Sequence, residues 1–179
     1  MLLYCQEKRK ISSILYLRIQ GAIDEQLFDE QYGFRTGRGC SDAVHVLRMV
    51  VEKSNEWGEE LWVAALDAEK AFDRVHHSEL FEALVESGVD YGVVLSLKLL
   101  YTDMTAYVNL CPGVESRVFN IERGVRQGDP LSPLLFNLVI RNVMRDLLPT
   151  WTRRGYRTNV GSTLPGQRLT YCAFLMTSA

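Results

Sequence analysis

The sequence predicts an α+β fold in a single piece. Three observations carry that reading: five stretches with apolar residues at helical spacing, two short alternating stretches on either side of Pro112-Gly113, and an apolar run from Leu61 to Leu66 that is too short for a helix. No internal repeat, low-complexity segment or clear linker interrupts the chain.

Taken in order, Ile11, Ile14, Leu15, Ile19 and Ile23 describe an amphipathic helix. A glycine-rich turn follows from Tyr32 to Cys40. Ser41 then stands where a cap would start a second helix, with Val44, Leu47, Val50 and Val51 as its buried stripe and Gly58 at its end. The run LWVAALD predicts a buried strand that ends at Asp67. Ser78 to Ser87 reads as a helix with Leu80, Phe81, Leu84 and Val85 on one side, and Tyr91 to Tyr101 as another. The stretches Thr105–Leu110 and Arg117–Ile121 flank the Pro-Gly turn and should pair antiparallel. Ser132-Pro133 is a helix start, and Leu134, Leu135, Leu138, Val139 and Val143 continue that helix until it stops before Pro149. Arg153 to Gly166 reads as an exposed connection, and Leu169 to Phe174 as a final strand.

Composition narrows the function classes. Hydrophobic residues make up 47% and charged residues 23% of 179, enough apolar surface for one folded domain. No apolar run approaches a membrane span, and the start MLLYCQEKRK lacks a signal-peptide pattern. An intracellular protein, in nucleus or cytoplasm, with no membrane partner is the expectation. Cys5, Cys40, Cys111 and Cys172 are scattered without zinc-site spacing, so reduced, partly buried thiols are expected. The net charge of −2 is low for a nucleic-acid binder, whose affinity rests on cations that neutralise phosphates.

Two segments could carry chemistry. Asp67, at a strand end, is placed either to hold a divalent cation or to cap the next turn. Lys70, Phe72 and Asp73 follow within LDAEKAFDRV, where the two charges could also form a solvated ion pair of little worth. In GVRQGDPLSPLLFNL, Gly128 would let a ligand approach the backbone, and the helix beyond offers free N–H groups at a positive dipole end. A plain loop into a capped helix explains Asp129-Pro130 and Ser132-Pro133, but not the preceding Gly-x-Arg-Gln-Gly. There is no P-loop, zinc-protease helix or Gly-x-Ser-x-Gly elbow, and His76-His77 reads as a pair of surface residues.

Together QYGFRTGRGCSDA, LDAEKAFDRV and GVRQGDPLSPLLFNL, in this order and at these separations, resemble the non-LTR (LINE-type) retrotransposon reverse transcriptase, with group II intron enzymes as cousins. The resemblance runs from about Ile11 onward. It implies a right-hand polymerase palm, an antiparallel sheet with helices packed on one face, plus part of the fingers. The fingers remnant would be residues 1–60 and the palm residues 61–179, truncated at the start of an Asp-Asp hairpin. It implies Asp67 as catalytic residue and metal ligand, helped by the Ala68 carbonyl, with two Mg2+ ions about 3.5–4 Å apart serving an in-line attack of a primer 3′-hydroxyl. Phe72 would pack on the sugar and reject a 2′-hydroxyl, and Gln127 and Gly128 would line the nucleotide and template face. Arg35, Arg38 and Arg126 would touch template or phosphate, while Lys70 and Asp73 match characteristic positions with open roles. The implied partners are an RNA template, a DNA primer and a deoxynucleoside triphosphate.

The tail departs from the pattern. Leu169–Phe174 match the approach to the family's Asp-Asp pair, but Leu175-Met176-Thr177 stand where Ala-Asp-Asp belongs. Methionine is ATG and threonine codons begin AC, so a frame one base out of step reads the aspartate codon GAC; a frameshift is the expected origin. The chain also starts after the family's Arg-Pro-Ile segment and ends before its thumb. It is therefore expected to be catalytically incomplete, with at most weak Mg2+ binding. The rival readings are a non-catalytic nucleic-acid-binding remnant using Arg123, Arg126, Arg153, Arg154 and Arg157, or a relic without function.

Overall fold

The computed structural model describes residues 6–58, 60–111 and 113–155. It combines five α-helices with small antiparallel ladders among the described residues, an α+β composition. Contacts divide the chain into two compact units. The first comprises Met1–Gln26 and Glu69–Val139, the second Leu27–Ala68 and Ile140–Ala179. No described helix is long and apolar enough to cross a membrane.

The first unit holds most of the buried apolar residues. Helix α1 (Gln6–Asp24) buries Ser12, Leu15, Ile19 and Ile23, while Ile11 and Ile14 lie one step off that stripe and are exposed. Helices α3 (His77–Glu86) and α4 (Tyr91–Tyr101) pack together and bury Leu80, Leu84, Val94 and Leu97 completely or nearly so. Each leucine so buried contributes on the order of 1.5–3 kcal/mol. Asp90 accepts a hydrogen bond from the Val93 amide and so caps α4, whose range Tyr91–Tyr101 is the one the sequence predicts.

A hairpin follows, in two pieces. Strand β1 (Thr105–Ala106) pairs antiparallel with β4 (Phe119–Asn120), and β2 (Asn109–Cys111) with β3 (Val114–Glu115). Between the pieces the Ser116 side chain accepts from the Val108 amide, which replaces a ladder bond. Gly113, at φ +83, makes the turn.

Helix α5 (Ser132–Arg153) starts in the first unit, with Leu134, Leu135, Phe136 and Leu138 buried, and continues into the second. It does not stop before Pro149. Proline removes one N–H but leaves the neighbouring bonds, and termination is supplied later by Gly155 at φ +79.

In the second unit α2 (Cys40–Trp57) begins one residue ahead of Ser41. Gly39 is the cap, and its amide donates to the Asp42 carboxylate at 2.7 Å. The helix buries Ala43, Val50 and Ser54 and leaves Val44, Leu47 and Val51 exposed, so the expected apolar stripe is rotated; Gly58 closes it in the left-handed conformation as expected. The predicted strand ending at Asp67 does not form. Residues 60–68 are outside any helix or strand, with Trp62 86% and Leu66 91% exposed. An apolar run makes a strand only if another strand satisfies its backbone, and among the described residues none pairs with it. The strand expected at Leu169–Phe174 and the tail at 175–177 lie outside the described residues, as do Cys5, Cys172 and Arg157. Cys40 and Cys111 are exposed rather than partly buried.

Candidate functional site

The two chemistry-bearing segments of the first unit are stitched together by backbone. Lys70 takes a left-handed conformation at φ 51 and starts a 3₁₀ turn, Ala71–Arg74. The Phe72 carbonyl accepts from the Val125 amide at 2.8 Å, and the Val75 carbonyl from the Gly124 amide at 2.7 Å. His76 and Arg123 form the next bridge. Gly124 is required here: at φ +96, a Cβ would stand 3.0 Å from the Asp73 Cα and carbonyl oxygen. His77, half-buried rather than a free surface residue, donates through Nε2 to the Gly124 carbonyl at 2.9 Å.

Side chains extend the joint. Gln127 Nε2 donates to Asp73 Oδ1 at 3.1 Å. Phe72 is half-buried against Phe136, with ring centroids 4.8 Å apart. Asp129 is buried; it accepts from the Ser12 hydroxyl at 2.8 Å and from the Leu131 amide at 3.1 Å, and so ties α1 to the turn ahead of α5. Ser132 does not cap α5 but donates to the Arg126 carbonyl at 2.6 Å. Gly128 has φ +78 and open space where a Cβ would stand, so backbone conformation is what favours glycine there.

Arg126 turns inward. Its guanidinium donates to the Leu100 carbonyl and, at 3.3 Å, to the Met104 sulfur, and it lies 5.2 Å from the centroid of the Tyr101 ring. A cation at the carbonyl end of α4 is favourably placed against the helix dipole. Arg126 thus anchors the fold through its guanidinium, and it also lines the cleft described next. The Tyr101 hydroxyl beside it is buried and makes no well-aligned hydrogen bond among the described residues, though Ser132 and the Arg126 backbone lie near it. Burial first, and the Asp129 charge second, push its pKa up to about 12, against smaller opposing effects of Ser132 and Arg126.

A cleft of about 280 Å³ opens on this joint. Its wall includes Phe72, Arg126, Gln127 and Gly128 together with Arg9, Asp129 and Ser132. The three residues expected to face a nucleotide therefore share one cavity. Arg9 was not among the residues expected there. It is exposed on α1, and its side chain makes no hydrogen bond or ion pair among the described residues. The basic run KRK was its sole signal in the sequence.

The other expected residues lie in the second unit. Asp67 and Ala68 are exposed, in the segment outside any helix or strand. Arg35 donates to the carbonyls of Phe28 and Gln31, and Arg38 pairs with Asp29 at 2.7 Å and lies 5.7 Å from the centroid of the Tyr32 ring. Both guanidinium groups thus hold the glycine-rich loop together. Among the described residues no group of three or more His, Cys, Asp or Glu side chains could hold a metal. Asp67 and one carbonyl fall short of the oxygen ligands a pair of Mg2+ ions needs.

The chain is similar to known proteins along most of its length. A family model described as "Reverse transcriptase (RNA-dependent DNA polymerase)" matches residues 1–175. The Pol polyprotein of the type-2 retrotransposable element R2DM from Drosophila melanogaster is 34% identical over 139 residues, 78% of this chain and 13% of that protein. The Pol polyprotein of a type-1 element R2 from Popillia japonica is 31% identical over 167 residues, 93% of this chain and 22% of its own length. A transposon TX1 protein of Xenopus laevis is 31% identical over 130 residues, 73% of this chain and 10% of that protein. The chain thus spans less than a quarter of each of these relatives.

Proposed function

This chain belongs to the reverse transcriptase family, and from that premise we propose that its cleft is the nucleotide pocket of an RNA-directed DNA polymerase of a non-LTR retrotransposon. The observation that carries the reading is the common cleft lined by Phe72, Gln127 and Gly128. A deoxynucleoside triphosphate lies there with its sugar against the Phe72 ring, which has no room for a 2′-hydroxyl. Arg9 supplies positive charge for the phosphates. RNA template and DNA primer are the macromolecular partners, residues 1–60 form the fingers part and residues 61–179 the palm part.

Divalent metal would supply Lewis-acid activation of the primer hydroxyl and the leaving group. Asp67 and the Ala68 carbonyl are the ligands this chain offers for it. Leu175, Met176 and Thr177 add no carboxylate, so the donor set does not fit two ions and no catalytic step is assigned. The 179-residue chain binds nucleotide without polymerising it.

The test is a titration of the isotope-labelled chain with dTTP and UTP, in parallel with primer extension in Mg2+ and Mn2+. Expected are amide shifts at Phe72, Gln127 and Gly128 that are stronger with dTTP, and no extension. Shifts confined to other surfaces would overturn the site, and robust template-dependent extension would overturn the incompleteness.

A further inference from the structure

We propose that Asp73 is a positioning residue that sets which edge of the Gln127 amide the cleft receives; the inference rests on the nucleotide reading above. The hydrogen bond between them joins residues 54 apart in sequence. An ionised carboxylate can only accept, so the edge of Gln127 that faces Asp73 must be the NH2 edge. The usual ambiguity between amide nitrogen and oxygen is thereby resolved by chemistry rather than by shape. The amide oxygen is then the atom left free of Asp73.

The backbone makes this orientation inexpensive to hold. Phe72 and Val75, on either side of Asp73, are bonded to Val125 and Gly124. Gly124 lies against the Asp73 backbone where a side chain would not fit. The main chain beneath both side chains is therefore fixed before they meet, and only side-chain rotamers remain to be ordered. Gln127 lines the cleft. With its NH2 edge engaged, it offers an acceptor to whatever enters, and selects a ligand that donates a hydrogen bond there, as a nucleotide hydroxyl or base N–H does. Asp73 itself need not touch the ligand.

Fluorescence or calorimetric titration with dTTP tests this in the full chain. Asp73→Ala should weaken dTTP about fivefold, the scale of one net hydrogen bond, with the thermal midpoint unchanged because both side chains are exposed. Asp73→Asn keeps an acceptor oxygen and should recover the affinity. In a Gln127→Ala background, Asp73→Ala should add nothing further. Wild-type affinity in Asp73→Ala, or an equal loss with and without Gln127, overturns the proposal. Absence of any dTTP binding by the unmodified chain instead sinks the nucleotide reading. The Gln127 side-chain amide protons then decide the orientation: two well-separated NMR signals that move together in Asp73→Ala support it, and signals indifferent to that change overturn it.

Discussion

Residues 61–67 and residues 72–76 are near neighbours in sequence, and both belong to recognisable motifs, yet their surroundings differ. The second stretch bonds to residues 123–125, buries Val75 and leans Phe72 on Phe136. The first presents Trp62, Val63 and Leu66 to solvent with no ladder among the described residues. Hydrophobicity alone does not make a strand. A partner for the backbone groups decides it, and for residues 72–76 that partner lies within the same compact unit. A motif therefore marks where chemistry belongs, not how well the segment that carries it is held.

The largest contrast should come from leucine truncation. Leu135→Ala, at a fully buried position on α5, should cost about 3 kcal/mol in urea unfolding. Leu66→Ala, at 91% exposure, should cost nearly nothing. Comparable losses at the two sites would erase the distinction between the regions.

Glycine replacement sharpens it further. Gly124→Ala combines a positive φ with a Cβ placed 3.0 Å from the Asp73 backbone, so we expect a loss of roughly 2 kcal/mol. Gly128→Ala has the φ penalty but open space, so about 1 kcal/mol is expected. If Gly128→Ala proved the costlier in denaturant melts, the close approach of the two segments would not be what fixes the joint.

Tyr101→Phe gives the smallest effect at neutral pH and a larger one in alkali. The hydroxyl is buried with no well-aligned hydrogen bond among the described residues, so its removal should change stability by less than about 1 kcal/mol at pH 7. The folded-state pKa near 12 exceeds the ordinary 10.0. The unfolded chain therefore loses this proton first, and the wild type loses stability between about pH 10 and 12. Tyr101→Phe should flatten that decline in melts recorded at pH 9 and 11. An identical decline in both proteins would assign the alkaline loss elsewhere.

Much of this was legible in the sequence, and the reasons differ by element. Helix α4 has the bounds Tyr91–Tyr101 that the sequence predicts, because periodicity acts within a few turns of chain and Asp90 caps it locally. The hairpin followed from Pro112-Gly113 for the same reason. The strand at Asp67 was misread because an apolar run does not by itself supply a partner, and none pairs with it among the described residues. Arg126 was read as a cation facing phosphate; it lines the cleft, and residue type cannot reveal that its guanidinium also bonds the carbonyl end of α4. The Asp73–Gln127 bond and the arrival of Arg9 at the cleft arise only when distant segments meet. Phe72, Gln127 and Gly128 were legible as a group through the motifs alone, and they line one cleft.

The exposed stretch Leu61–Leu66 also has a consequence for how the protein behaves in quantity. Six residues, LWVAAL, carry no charge, glycine or proline, and they lie outside any helix or strand with no ladder partner among the described residues. Such a segment is a template for pairing with its copy in another molecule, the first step toward ordered aggregates. Val63→Lys should therefore raise the soluble yield and delay thioflavin-positive assembly at high concentration. Equal assembly rates in the two proteins would locate the sticky surface elsewhere. A slower assembly of Val63→Lys would mark the stretch beside Asp67 as the molecule's solubility limit as well as its chemical landmark, and a lysine gatekeeper there would separate the two roles.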